Sequence, residues 1–150
     1  MPKQILWLDN DPDYLEPYVE TLTDEGFQVT VASTITEAEK ALRESRFDLM
    51  LLDVMIPTVS AEEEKAYLPQ VTDLGNKTGL LFYRNYKELF RKAKTHVLVM
   101  TVRLDKPIMD EFIKAGLPSD RFATKYDLRD VGVFLEKVQF ILGEPLPAAA

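Results

Sequence analysis

Short apolar runs alternate along the chain with stretches in which apolar residues recur at intervals of three and four. Three of the five runs are continuously apolar, a pattern typical of parallel strands that are covered on both faces. The runs predict strands over residues 5–8, 29–32, 49–52, 97–100 and 122–124. Strands that alternate in this way with helices predict a doubly wound α/β sheet.

Five apolar stripes predict five helices around this sheet. The stripes begin at Leu15, Ile35, Phe82, Ile108 and Leu128. Thr34 and Glu37 have the spacing of a capping box before the second helix. Pro17 lies inside the first stripe and has no N–H for a helical hydrogen bond, so we expect that helix to start late or to kink.

Residues 58–76 interrupt the alternation, because they contain no strand pattern. Ser60 and Glu63 form another capping box, which predicts a short helix over residues 61–68 that Pro69 ends. Three consecutive glutamates, Glu62 to Glu64, are expected on a solvated face of this helix.

The bulk composition limits the classes of protein that fit. A chain of 150 residues with 46% hydrophobic and 29% charged residues is expected to form one globular domain. The net charge of −7 argues against direct nucleic-acid binding, and the absence of cysteine excludes disulfides and thiolate chemistry. No apolar run approaches a membrane span, and the first one is too short for a signal peptide, so a cytoplasmic location is expected. We expect a domain over residues 1–143 and a flexible tail or linker stub over residues 144–150.

Polar residues follow the predicted strands. The first strand runs into residues 9–11, which read Asp-Asn-Asp, and the third runs into Asp53. Thr101 and Lys125 follow the fourth and fifth strands. Because the carboxyl ends of parallel strands share one edge of a sheet, these groups are expected to converge there. A carboxylate can accept a phosphoryl group, hard oxygen ligands suit magnesium (Mg²⁺), and a hydroxyl and an ammonium can bind phosphoryl oxygens.

At these strand ends the sequence resembles a known family, the receiver domain of two-component response regulators. The resemblance runs from "ILWLDNDPD" through "LMLLDVMIP" and "VLVMTV" to "FATKYDL". It implies a flavodoxin-like fold with strand order 2-1-3-4-5 and five flanking helices. It also implies that Asp53 accepts a phosphoryl group from a sensor histidine kinase or phosphotransfer protein. The only chemistry expected is this self-phosphorylation and a slow autodephosphorylation, not that of a conventional enzyme.

The resemblance implies a Mg²⁺ site as well. Its ligands would come from Asp9 and its neighbour Asn10, from Asp53, and from the backbone carbonyl of Met55. Asp11 precedes a proline and is a natural helix N-cap, a role that is compatible with a contact to the metal.

Two further residues take switching roles in the resemblance. Thr101 would bind the phosphoryl group, and Phe122 stands where the family has an aromatic residue whose rotamer follows the threonine. Lys125 would pair with the phosphoryl group and with Asp9.

The sequence departs from the family pattern at four places. Asn10 stands where a second acidic residue is usual, Val102 where alanine is usual, and Tyr126 where proline is common. The fourth departure is the extra segment over residues 58–76.

The last predicted helix carries apolar residues beyond its main stripe, namely Val133, Phe134, Phe140 and Ile141. These residues fit either a wide buried stripe or a surface for a partner. The resemblance favours a partner surface, in which the fourth and fifth predicted helices bind a second copy or an output partner.

Two other functions compete with a phosphorylated receiver. Asn10 favours a degenerate receiver that binds partners without being phosphorylated. The spacing of Asp9 and Asp11 after an apolar strand resembles the nucleophile and acid/base pair of haloacid-dehalogenase-type phosphohydrolases. That family needs a further acidic pair downstream of its lysine, whereas only helix follows Lys125 here.

Overall fold

Five parallel strands form one sheet in the computed structural model, which describes residues 2–73 and 75–143. The strands are β1 (Gln4–Leu8), β2 (Gln28–Ala32), β3 (Leu49–Leu52), β4 (His96–Thr101) and β5 (Phe122–Thr124). Their order, β2-β1-β3-β4-β5, confirms the predicted topology. The central strands β1, β3 and β4 are buried on both faces, which explains why their sequences do not alternate.

The described residues contain seven helices, one more than the five flanking helices and the short helix after β3 that the sequence predicts. They are α1 (Pro12–Asp24), α2 (Ile35–Glu44), α3 (Ala61–Ala66), α4 (Pro69–Thr72), α5 (Thr78–Ala93), α6 (Lys106–Lys114) and α7 (Val131–Gly143). The five predicted helices are α1, α2, α5, α6 and α7. The helix predicted over residues 61–68 ends earlier, and Pro69 begins α4 where it was expected only to end α3. Proline tolerates this first position because the N–H it lacks has no helical partner there.

Helix α1 starts directly after the acidic tip of β1. Asp11 is its N-cap and accepts a hydrogen bond from the Tyr14 N–H, with Pro12 in the first turn, as predicted. Of the two outcomes expected from Pro17, a late start or a kink, the late start is wrong, because the helix begins at Pro12 and continues past Pro17. Burial of Leu15, Tyr18 and Leu22 on both sides of the proline outweighs the hydrogen bond that Pro17 cannot make.

Two apolar layers cover the two faces of the sheet. On one face, Leu6 and Leu8 of β1 pack with residues of α2, α5 and α6. On the other face, Trp7 of β1 packs with α1 and α7, where its ring stacks on Phe134 at a centroid distance of 5.4 Å. The layers hold the strands in place and thereby fix where their carboxyl ends lie.

The extra segment after β3 is tied to the body of the protein by Glu63. Its carboxylate accepts hydrogen bonds from the Val59 N–H and from both the N–H and the hydroxyl of Thr36 in α2. The prediction that Glu63 lies on a solvated face is therefore wrong, because it is 4% exposed. Glu62 and Glu64 are exposed, as predicted. Tyr67 anchors the same segment in the apolar layer beside α2 and α5.

Helix α7 divides its apolar residues between the core and the surface. Phe134 and Ile141 are fully buried, whereas Val133 is 47% and Phe140 55% exposed. The extra apolar residues thus widen the buried stripe and also leave an exposed apolar pair.

Within the ranges that the structure describes, no helix has the length and apolar character needed to cross a membrane. The tail predicted over residues 144–150 lies outside the described residues.

Candidate functional site

The polar residues that follow the strands are fixed by the backbone pairing of the sheet. The Asp9 N–H donates to the Ala32 carbonyl at 3.0 Å, just beyond the last paired residues of β1 and β2. In the same way the Asp53 N–H donates to the Leu8 carbonyl at 3.1 Å, and the Lys125 N–H to the Thr101 carbonyl at 2.8 Å. Each functional residue is therefore held at the carboxyl edge of the sheet.

The side chains of four of these residues meet at this edge. The Lys125 Nζ lies 2.7 Å from Asp9 Oδ2 and 3.4 Å from Asp53 Oδ2. Thr101 Oγ1 donates a hydrogen bond of 2.8 Å to Asp53 Oδ1. The structure thus brings together Asp9, Asp53, Thr101 and Lys125, which lie on four different strand ends.

Backbone donors complete the surroundings of the two carboxylates. The Met55 N–H donates to Asp53 Oδ1 at 3.1 Å, and the Asp11 N–H donates to Asp9 Oδ1 at 2.9 Å. Asp9 is fully buried and Asp53 is 4% exposed. Two acidic groups are therefore withdrawn from water beside a single ammonium.

The electrostatics of the site follow from this shortage of positive charge. Burial raises the pKa of Asp9, and the nearby charge of Asp53 adds to this effect against the opposing influence of Lys125. Burial alone would lower the pKa of the Lys125 ammonium, but the hydrogen bond to Asp9 and the charges of both carboxylates raise it. Lys125 is therefore held protonated, and the carboxylate pair can still accommodate a further cation.

The predicted metal ligands divide into two groups. Asp9 and Asp53 lie together at the buried edge, while Asn10 and Asp11 are exposed and the Asp11 carboxylate caps α1. In the described part of the chain, no group of three or more His, Cys, Asp or Glu residues gathers around a possible metal position. The two carboxylates nevertheless fit Mg²⁺, which takes one or two carboxylates in proteins and completes its shell with water and phosphate.

Gly79 is a residue of the site that the sequence analysis missed. Its N–H donates to the Val54 carbonyl at 2.8 Å, and a Cβ at this position would lie 2.2 Å from the carbonyl oxygen of Asp53. The first turn of α5 can therefore approach the backbone of Asp53 only because residue 79 is glycine. A glycine shortly before the apolar stripe that begins at Phe82 was the signal that could have indicated this close approach.

Tyr14 is a second residue that was missed. The Lys125 Nζ lies 4.6 Å from the centroid of the Tyr14 ring, a distance typical of a cation–π contact. The ring comes from the first turn of α1, next to the tip that carries Asp9.

The other predicted positions lie around these central groups. Phe122 is half-buried and packs edge-to-face on Phe112 of α6, with ring centroids 5.8 Å apart. Val102 and Tyr126, which follow Thr101 and Lys125, are exposed.

Comparison with known proteins agrees with this geometry. Residues 5–63 match the response regulator receiver domain. The chain is 42% identical over 57 residues to the DNA-binding response regulator MtrA of Mycolicibacterium smegmatis and to that of Mycobacterium tuberculosis. Each match covers 38% of this chain and 25% of the relative, so the match spans about a quarter of the length of these curated relatives.

Solved structures extend the likeness in fold to the rest of the chain. A response regulator from Thermotoga maritima has a TM-score of 0.71 at 23% identity, over 96% of this chain and 100% of that one. A CheY-like receiver domain protein from Methanospirillum hungatei has a TM-score of 0.72 at 20% identity, over 95% and 94%. Residues 5–63 are thus similar in sequence to a response regulator receiver domain, and nearly the whole chain shares its fold with solved response regulators.

Proposed function

We propose that this chain is a receiver domain that accepts a phosphoryl group on Asp53 from a sensor histidine kinase or a phosphotransfer protein. The observation that carries the proposal is the position of the Asp53 carboxylate between the Thr101 hydroxyl and the Lys125 ammonium. A phosphoryl group on Asp53 would find one hydroxyl donor and one cation already in place for its oxygens.

The two oxygens of Asp53 differ in how they are held. Oδ1 accepts hydrogen bonds from Thr101 and from the Met55 N–H, whereas Oδ2 has the longer contact of 3.4 Å with Lys125. Oδ2 is therefore the better placed nucleophile. It forms a bond to phosphorus while the N–P bond of the donor phosphohistidine breaks, and the imidazole leaves with the electron pair.

Magnesium fits the same edge of the sheet. Asp9, Asp53 and the carbonyl of Met55 would hold Mg²⁺, with Asn10 and Asp11 beside them. When bound, Mg²⁺ supplies positive charge to the phosphoryl oxygens. Asp9 orients Lys125 through its short contact, and Lys125 contributes the second positive charge of the site.

The phosphorylated state would be transmitted through Thr101 and Phe122. In this proposal Thr101 follows the phosphoryl group, and Phe122 changes its packing against Phe112 of α6. The exposed residues Val133 and Phe140 of α7 provide an apolar surface on which a second copy or an output partner would bind with α6.

A second candidate is a degenerate receiver that binds partners without phosphorylation. Asn10 favours it, because one acidic group of the family pattern is missing from the tip of β1. A phosphohydrolase of the haloacid-dehalogenase type has less support, since its acid/base residue would be Asp11 and this carboxylate caps α1.

Intact mass spectrometry after incubation with acetyl phosphate and Mg²⁺ tests the three functions. The proposal predicts one phosphoryl adduct in the wild-type protein and none in Asp53→Ala, which removes the nucleophile. Steady release of phosphate into solution, measured alongside the protein mass, would indicate a hydrolase if the protein carries no adduct. An unchanged mass would indicate a degenerate receiver.

A further inference from the structure

The Lys125 ammonium has an aromatic neighbour in addition to its two carboxylates. Its Nζ lies 4.6 Å from the centroid of the Tyr14 ring, while the same atom contacts Asp9 at 2.7 Å and Asp53 at 3.4 Å. The Lys125 side chain is 11% exposed. The ring therefore supplies part of the surroundings of a largely buried cation, where a cation–π contact is stronger than at an exposed site.

The Tyr14 ring is itself held in place by its neighbours. It packs on Tyr18 at a centroid distance of 5.0 Å, and Tyr18 meets the ring of Phe134 edge-on at 5.0 Å. The Tyr18 hydroxyl donates to the carbonyl of Arg129, which precedes α7. Tyr14 is thus the end of an aromatic row that joins α1 to α7 and meets the site at Lys125.

We propose that Tyr14 is a positioning residue that holds the Lys125 ammonium in place for the phosphoryl group. This inference rests on the proposed phosphorylation of Asp53. Lysine is a flexible side chain with a point charge, so its position depends on what surrounds it. A ring face attracts the ammonium without neutralising its charge, and it occupies none of the donors that a phosphoryl oxygen would use.

The protonation state of Tyr14 agrees with this role. Burial raises the pKa of Tyr14, and the Tyr18 hydroxyl and the charges of Asp9 and Asp53 raise it further. The phenol therefore stays neutral.

Two substitutions separate the ring face from the bulk of the side chain. Tyr14→Leu removes the ring and keeps an apolar side chain, while Tyr14→Phe keeps the ring. At saturating Mg²⁺ we expect Tyr14→Leu to lower the rate constant of phosphorylation by acetyl phosphate about 5-fold, which corresponds to about 1 kcal/mol. Tyr14→Phe should stay within about 2-fold of wild type, because its ring face is intact.

A double-mutant cycle tests the contact without any phosphorylation. Urea unfolding is measured for wild type, Tyr14→Leu, Lys125→Met and the double variant, and the cycle is repeated with Tyr14→Phe. We expect a coupling of about 5-fold in the unfolding equilibrium constant for the leucine cycle and none beyond error for the phenylalanine cycle. If Lys125→Met is too unstable to measure, both cycles are run in Asp9→Asn, where removal of the Lys125 ammonium leaves one carboxylate unpaired instead of two.

The outcomes separate this inference from the proposed function. Additive effects of Tyr14→Leu and Lys125→Met, or equal rate losses in Tyr14→Leu and Tyr14→Phe, would overturn the role of Tyr14. A wild-type protein that forms no adduct would contradict the proposed function, and the unfolding cycle would still decide whether Tyr14 holds Lys125.

Discussion

Asp9 and Glu63 are both buried carboxylates, yet their surroundings differ. Glu63 accepts hydrogen bonds from the Val59 N–H and from two donors of Thr36, and these bonds lower its pKa against the effect of burial. Asp9 has one backbone donor, and it shares Lys125 with a second carboxylate, Asp53. Burial and the Asp53 charge raise the pKa of Asp9.

The difference separates a structural carboxylate from one that is available for binding. The neutral donors around Glu63 satisfy its charge, so it ties the segment after β3 to α2 and needs no other partner. Asp9 and Asp53 together carry more negative charge than Lys125 compensates. A site in this condition is stabilised by a cation, and cation binding belongs to the proposed function.

The largest effect on stability is expected at Gly79, whose substitution disturbs the backbone of Asp53 and Val54. A methyl group in Gly79→Ala would meet backbone atoms of Asp53 and Val54, which cannot rotate away. We expect a loss of about 3 kcal/mol in the free energy of unfolding, measured by urea denaturation, and slower phosphorylation. Gly143→Ala is the matched control, because its added methyl group meets no atom within 4 Å. Equal stability of the two variants would contradict the close approach of α5 to Asp53.

The second largest effect on stability is expected from substitution of Glu63. Glu63→Gln removes the charge that accepts three hydrogen bonds and replaces one acceptor oxygen with a donor. We expect a loss of about 2 kcal/mol in the free energy of unfolding. Glu62→Gln and Glu64→Gln are controls on the same helix, and as exposed residues they should change stability by no more than about 0.5 kcal/mol. A similar loss in all three variants would mean that the hydrogen bonds from Thr36 to Glu63 make no specific contribution to stability.

The third effect concerns Mg²⁺ binding at the tip of β1. Asn10→Asp adds a negative charge beside the Asp9–Asp53 pair, and we expect it to tighten Mg²⁺ at least ~10-fold, or about 1.4 kcal/mol, in a calorimetric titration. Asp11→Ala serves as the comparison, because the structure uses the Asp11 carboxylate as a helix cap. A large loss of Mg²⁺ affinity in Asp11→Ala with no gain in Asn10→Asp would show that Asp11 supplies the metal carboxylate that is missing at position 10.

The smallest effect is a pH dependence of opposite sign at the two carboxylates. Because the pKa of Glu63 is lowered below its ordinary value of 4.5, its contribution to stability is present above that pH and is lost as the pH falls. The pKa of Asp9 is raised above 3.8, so its contribution is present below that pH and is lost as the pH rises.

Urea unfolding of wild type, Glu63→Gln and Asp9→Asn between pH ~3 and ~6 measures this difference. The stability that wild type gains over Glu63→Gln should grow with pH. The stability that it gains over Asp9→Asn should shrink over the same range. Parallel trends would remove the distinction between the two carboxylates.

The sequence predicted the central part of the site because that part depends on local patterns. Apolar runs locate the strands, and parallel strands necessarily bring residues such as Asp53, Thr101 and Lys125 to one edge. Capping was predictable for the same reason, since Asp11 and Tyr14 are only three residues apart.

What the sequence did not reveal depends on contacts between distant segments. Glu63 is buried because it meets Thr36, which is 27 residues away, and nothing in the run of three glutamates distinguishes it from its neighbours. Gly79 and Tyr14 are likewise important only because α5 meets Asp53 and α1 meets Lys125. Pro69 was expected to end a helix, but in the structure it is the first residue of α4.

Chemical mapping of the phosphoryl acceptor tests the central claim most directly. After incubation with acetyl phosphate and Mg²⁺, borohydride reduces an aspartyl phosphate to homoserine, and peptide mass spectrometry locates the change. We expect homoserine at residue 53 in wild type and none in Asp53→Asn. Homoserine at residue 9 would contradict the assignment of Asp53 as the acceptor, and its absence from every position would contradict phosphorylation of the domain.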